Sequence, residues 1–246
     1  AASLIDTVPD APSAYGTSSS SSSSTVGANA AMLAWRLQQL ERPELEEFHC
    51  WLPELDDVSG LQFLEFLPRT LRRLRLSLID SNAHMDSLLQ LSRLEALELL
   101  DLDQARLSDA NLARLIAAVP SVRRLSLFGC EATGNATIAS IGANMRQLEV
   151  VSLSRILVGS VNNLTSFAPL ANCTRLSALI LTADRYVTDQ TLATCACLTQ
   201  LHSITVARCD GVRNAEALAR AMPRCRVITS IAEAELAPTR FELVTD

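Results

Sequence analysis

Residues 107–130 read LSDANLARLIAAVPSVRRLSLFGC, and residues 187–209 read VTDQTLATCACLTQLHSITVARC. Both stretches carry the same three signals in the same order. Each opens on a hydroxyl residue followed by an acid, Ser108-Asp109 or Thr188-Asp189, a pairing suited to holding the unpaired amides of a helix start. Next comes helical spacing, Leu112/Leu115/Ile116/Val119 in one and Leu192/Cys195 in the other. The third signal is apolar, two residues, apolar, one residue, apolar: Val122/Leu125/Leu127 and Leu201/Ile204/Val206. Side chains alternate along a strand, so the fourth and sixth positions of this motif share a face and enter a core together. The unit is therefore a helix followed by a strand, and each copy here ends on a cysteine.

Working outward, the strand motif recurs at Leu45/Phe48/Cys50, Leu71/Leu74/Leu76, Leu94/Leu97/Leu99, Leu148/Val151/Leu153 and Leu176/Leu179/Leu181, with a degenerate copy at Cys225/Ile228. The eight first positions lie 26, 23, 28, 26, 28, 25 and 24 residues apart. Self-similarity at such a period marks a solenoid, in which each unit buries its apolar face against the next. Helical spacing returns between strands at Leu61/Leu64/Leu67, Ile138/Ile141/Met145 and Ala215/Leu218/Met222. Pro43, Pro68, Pro120 and Pro223 precede strands, where proline stops a helix without removing a ladder donor.

The two quoted stretches resemble the cysteine-containing leucine-rich repeats of F-box/leucine-rich-repeat proteins, and the resemblance covers roughly Ala28 to Glu235. It implies an α/β solenoid of about eight repeats, a horseshoe with a curved parallel sheet on its concave side and helices on its convex side. It also implies that the Cys at the ninth motif position, Cys130 or Cys209, serves the turn backbone with its polar atom. Position nine reads Pro53, Ile79, Leu102, Ile156 and Asp184 in other copies, so those turns are expected to be less regular.

With 246 residues, 48% of them hydrophobic and only 4% aromatic, the chain can bury a long core of Leu, Val, Ile and Ala. The expected division is a Ser/Pro/Ala-rich flexible tail over 1–27, an N-terminal capping helix over 28–44, the repeat domain over 45–235 and a C-terminal tail or cap over 236–246. All seven cysteines fall inside the repeats rather than in flanking caps, which favours an intracellular, reducing compartment. The cytoplasm is the first choice, and an organelle reached through a cleaved targeting peptide is the alternative. N-x-Thr triplets at Asn135, Asn163 and Asn172 weigh little against that placement. No apolar run is long enough to cross a bilayer, so membrane insertion is not expected.

Every one of the twenty-one basic residues is arginine, against twenty-seven acids. Outward strand positions read Glu46-Glu47, Arg72-Arg73-Arg75, Glu95-Glu98-Asp101, Arg123-Arg124 and Glu149, so acidic and basic rungs alternate across the concave face. Such a face is either self-neutralised or a patterned docking surface. Farther along it turns to Ala178, Ile180, Thr182, Ser203, Thr205 and Val227. A net charge of −6 with interleaved arginines does not predict nucleic-acid binding.

Chemistry is sparse: His49, His84 and His202 belong to different repeats, and Cys195-x-Cys197 lacks further ligands, so no catalytic, cofactor or metal site is expected. The expected function is a non-enzymatic protein–protein interaction scaffold, a subunit of a larger intracellular assembly. The alternative is the substrate receptor of a ubiquitin ligase, which draws on the repeat class, the absence of lysine and the F-box-like string LPELDDVSGLQFLEFLP at 52–68. That string is not a complete F-box, since Leu71 already opens the next strand. The candidate partner-binding residues are Trp51, Leu100 and Phe128 at the seventh motif position, flanked by Arg72, Arg73, Arg75, Arg123 and Arg124. Aromatic side chains beside arginines are the composition of an interface hot spot.

Overall fold

A computed structural model describes residues 2–5, 45–52, 58–78, 84–130, 133–154, 164–184 and 186–230. Its strands are β1 (Ala2–Ile5), β2 (Leu45–Leu52), β3 (Arg73–Leu78), β4 (Leu99–Asp103), β5 (Arg124–Ser126), β6 (Val150–Ser152), β7 (Ala178–Thr182), β8 (Ser203–Ala207) and β9 (Arg226–Ile228). They form one sheet in chain order, each strand parallel to the next. A parallel neighbour can be reached only through a crossover, and helical segments supply it. β1 lies in the stretch expected to be a tail and pairs alongside β2. The rest of that stretch, the helix expected over 28–44 and residues 231–246 lie outside the described residues.

The helical spacing is realised as α-helices at Asp109–Ala118, Asn135–Asn144 and Ala215–Ala221. Tighter or mixed turns stand at Val58–Phe66, Met85–Arg93, Ala168–Asn172 and Asp189–Cys197. Ser108 and Thr188 cap their helices as expected, accepting from the amides of Asn111 and Thr191, and Asn214 does the same for Ala217. Leu112, Leu115, Ile116, Ile138, Ile141 and Leu218 turn inward onto the strand residues Leu74, Leu125, Val151, Leu179 and Ile204 in one continuous core. Close layering makes one glycine obligatory. A Cβ on Gly142 would collide with the carbonyl oxygen of Pro169 in the following repeat.

One copy of the motif sits three residues later than the sequence spacing indicates. Leu74 pairs with Leu100 and Leu76 with Leu102, so the third repeat is carried by Leu97, Leu100 and Leu102 rather than Leu94, Leu97 and Leu99. Leu94 instead closes the preceding turn: its carbonyl accepts from the Leu97 amide, as those of Val119, Met145, Cys173 and Leu198 accept from Val122, Leu148, Leu176 and Leu201. Both settings satisfy the apolar spacing because the turn also demands an apolar residue three before the strand. The corrected first positions, 71, 97 and 122, lie 26 and 25 residues apart, which removes the unequal 23 and 28. Three consequences follow. Leu100 is fully buried, position nine is Ala105 instead of Leu102, and Glu95 leaves the exposed face while Asp103 joins it.

The turns after the strands show how the repeat closes. Position eight adopts the left-handed conformation at Gln104, Gly129, Ala183 and Arg208, with φ of 57°, 68°, 54° and 56°. Only Gly129 occupies that region without steric cost. At position nine the thiols of Cys130 and Cys209 donate to the carbonyls of Leu102 and Leu181 in the preceding repeats, both at 3.5 Å. The cysteines thus serve the turn backbone as the resemblance implies. Asp184 holds the same position and accepts from the Tyr186 amide at 2.8 Å, but its other carboxylate oxygen is buried without a partner among the described residues. Burial raises the Asp184 pKa above the usual carboxylate value.

Candidate functional site

Among the described residues, four ion pairs join adjacent strands or the residues that lead into them on the exposed face. Arg73 meets Glu47 at 3.9 Å, Arg72 meets Glu98 at 3.9 Å, Arg75 meets Asp101 at 3.8 Å and Arg123 meets Glu149 at 3.4 Å. The alternation of acidic and basic rungs is thereby used within the molecule. Long separations and solvent screening hold the exposed pairs to under about 1 kcal/mol each.

Arg124 is the exception. It follows Arg123 along the chain, but its register neighbours are Leu99 on β4 and Val150 on β6, so no acid stands directly opposite it, and Glu98 and Glu149 beside it pair with Arg72 and Arg123. Its side chain is exposed and lines a hollow of about 140 Å³ with Arg73, Glu98, Leu99, Arg123 and Glu149.

Farther along the strands a depression of about 300 Å³ is lined by His49, Arg75, Ser77, Asp101, Asp103, Ser126, Phe128 and others. Desolvation pushes the Asp101 carboxyl up, against the hydrogen bond from Ser126 and the charge of Arg75, which pull it down. Asp103 accepts a long 3.4 Å bond from Ser77, and its second oxygen is buried without a partner.

Of the three large apolar residues expected on the rim, Phe128 is half-buried and lines this depression. Leu100 does not: the corrected register turns it into the core. The Trp51 backbone pairs with Ser77 on β3, and its side chain lies outside what is described. The five candidate arginines share the face, with Arg72, Arg73, Arg123 and Arg124 toward the strand starts and Arg75 inside the depression. The sequence offers Leu99 as an inward motif residue and Asp101-x-Asp103 only as a weak ligand pair, because its spacing puts Leu99 at an inward and Asp103 at a turn position rather than on this face. The uneven intervals of 23 and 28 residues were the signal that could have found them.

Chemistry elsewhere offers less. His49 lines the depression, His84 is buried and His202 is exposed, each on a different repeat. Among the described residues no group of three His, Cys, Asp or Glu side chains could hold a metal. All seven cysteines are free thiols, and all but Cys197 are buried. Burial pushes the thiol of Cys130 up to about 12 and those of Cys173 and Cys209 to about 11, well away from a reactive thiolate. No helix of the described residues is long and apolar enough to cross a membrane.

No model of a protein family matches the chain, and no curated protein matches it either. Solved structures do. The leucine-rich repeat-containing protein LegL7 from Legionella pneumophila is 20% identical over 85% of this chain and 71% of its own, with a TM-score of 0.54. Internalin C2 from Listeria monocytogenes is 16% identical over 83% of this chain and 92% of its own, with a TM-score of 0.45. The strand-turn-helix repeat, the parallel sheet in chain order and the likeness to LegL7 together identify the fold as a leucine-rich repeat solenoid.

Proposed function

We propose that this chain is a non-enzymatic interaction scaffold, a subunit of a larger intracellular assembly, which holds a protein partner on the exposed face of its sheet. One observation carries the reading. The face concentrates its arginines and a half-buried aromatic residue around a polar depression in the strands from β2 to β6, while the outer helices and the core are ordinary repeat packing. Phe128 and the candidate arginines are the contacts proposed for the partner, and Trp51 is proposed beside them. The buried free thiols support a reducing compartment, since nothing in their placement calls for a disulfide. The Nδ2 of Asn135, the first of the N-x-Thr asparagines, donates to the Thr165 hydroxyl of the next repeat at 3.1 Å, a tie that a glycan on that nitrogen would disturb.

A second reading, the substrate receptor of a ubiquitin ligase, draws on the cysteine turns at Cys130 and Cys209. The F-box-like string lends it little, because Leu61, Leu64 and Leu67 are spent on the core of the first repeat. Affinity purification with mass spectrometry separates the two readings. Recovery of ligase core subunits favours the receptor, and a stable set of other subunits favours the scaffold. Phe128→Ala tests the surface: recovered partners should fall with near-normal melting. A large drop in stability with recovery intact would return Phe128 to a structural role and sink the site.

A further inference from the structure

The face can be read as a charge balance. Of the arginines on β3 to β5 and their leading residues, Arg72, Arg73, Arg75 and Arg123 each have an acid on a neighbouring strand. Arg124 has Leu99 and Val150 instead. Of the acids, Glu47, Glu98, Asp101 and Glu149 are paired with arginine, Glu46 stands at the strand start of the first repeat, and among the described residues Asp103 has only the Ser77 hydroxyl at 3.4 Å. The internal pairs cancel. Among the described residues, what remains in the middle of the face is one cation at the upstream end of the strands and one anion at the downstream end.

Their separation is fixed by the sheet. Arg124 is in register with Leu99, and Asp103 lies four residues beyond Leu99 on the same strand. Four residues of strand and one interstrand step place the two Cα atoms roughly 14 Å apart. An extended peptide covers that span in about four residues, because each residue advances roughly 3.3 Å. Apolar side chains flank both charges: the buried Leu99 and half-buried Val150 beside Arg124, and the half-buried Phe128 beside Asp103.

Building on the docking reading above, we propose that this face selects an extended partner segment carrying an acidic side chain for Arg124 and, about four residues away, a basic side chain for Asp103. Specificity then comes from the two charges that the scaffold leaves uncancelled, since a like charge at either point would meet repulsion.

The test uses the full chain against a displayed library of random ten-residue peptides. Enriched sequences should carry an acid and a base about four positions apart, separated by small or apolar residues. Arg124→Glu should lower binding of a selected peptide by about tenfold. It should also shift new selections toward a base at the acidic position. Asp103→Asn should relax the demand for the basic residue alone, and both variants should melt like the parent. Enriched peptides that lack the charge pair, or selections unchanged by Arg124→Glu, overturn the proposal. In that case peptides still lost on Phe128→Ala would leave the docking face standing, whereas peptides indifferent to all three variants, or no enrichment at all, would remove both.

Discussion

The two halves of the sheet share a core and differ on the surface. From β2 to β6 the exposed positions carry Glu47, Arg73, Arg75, Asp101, Arg124 and a polar depression. From β7 to β9 the same positions carry Ala178 and Thr205, which are buried, and Ile180, Thr182, Ser203 and Val227, which are half-buried. Underneath, Leu125 and Leu179 are equally inaccessible. A strand sends alternate residues to opposite sides, so inward positions can repeat faithfully while outward ones vary. Repetition therefore encodes the solenoid, and departure from repetition encodes what the surface can hold.

The comparison breaks most readily in the core. Leu125→Asp and Leu179→Asp should both abolish cooperative melting, because truncating a buried Leu already costs about 2–5 kcal/mol and an unpaired buried charge adds to it. A half whose thermal melt survives the change does not share the core. Gly142→Ala comes next. Its methyl would meet the Pro169 carbonyl at the boundary between the halves, and overpacking against backbone should cost about 1–3 kcal/mol in chemical denaturation. A neutral result there would mean that the two repeats part easily.

Asp184 sharpens the contrast between turns. Asp184→Asn keeps an acceptor for the Tyr186 amide and supplies the donor that Cys130 and Cys209 provide elsewhere, so the variant should melt higher than the parent near neutral pH. The sign with pH follows from the raised pKa. A carboxyl whose folded value is raised stabilises fully below its unfolded value of 3.8 and loses that contribution as pH rises through the folded value. The gap between variant and parent should thus be small near pH 4 and widen upward; a gap that narrows would refute the assignment. The smallest effect belongs to Arg123→Ala, under about 1 kcal/mol and fading with added salt, since its side chain is 47% exposed. A loss of several kcal/mol would show the charged half to be structural.

Much of this was legible in the sequence because a parallel solenoid turns its period directly into space. The strands at Leu71, Val122, Leu148, Leu176 and Leu201, the caps at Ser108 and Thr188 and the thiol turns at Cys130 and Cys209 lie where spacing and side-chain chemistry put them. The third repeat failed for a physical reason. Leu94, Leu97, Leu99, Leu100 and Leu102 are all apolar, so periodicity had two solutions, and only strand pairing chooses between them. The candidate site suffered with it: Leu100 moved into the core, Asp103 came to the outward side of the sheet, and Leu99 came to that side beneath the arginines while staying buried. Arginine pairing was legible from alternation, but Arg124 being left over depends on which residue stands beside it across the sheet.

The first helical residue of several repeats reaches forward. Asp109 takes the amides of Gly134, Ala136 and Thr137, Asn135 takes that of Thr165, and Asp189 takes those of Arg213 and Asn214. Every one of these bonds runs from an earlier repeat to the opening of a later one, so the stack has an arrow. At these junctions an earlier repeat can lose its follower and keep its own helix start, whereas a follower stripped of its predecessor loses partners for its opening amides; the Phe167 amide, held by the Thr194 hydroxyl of the following repeat, runs the other way. Synthesis from the N-terminus respects that order, each new turn emerging onto a neighbour that already holds its template. Trimming repeats from the two ends should for the same reason be unequal, with loss at the front propagating farther than loss at the back.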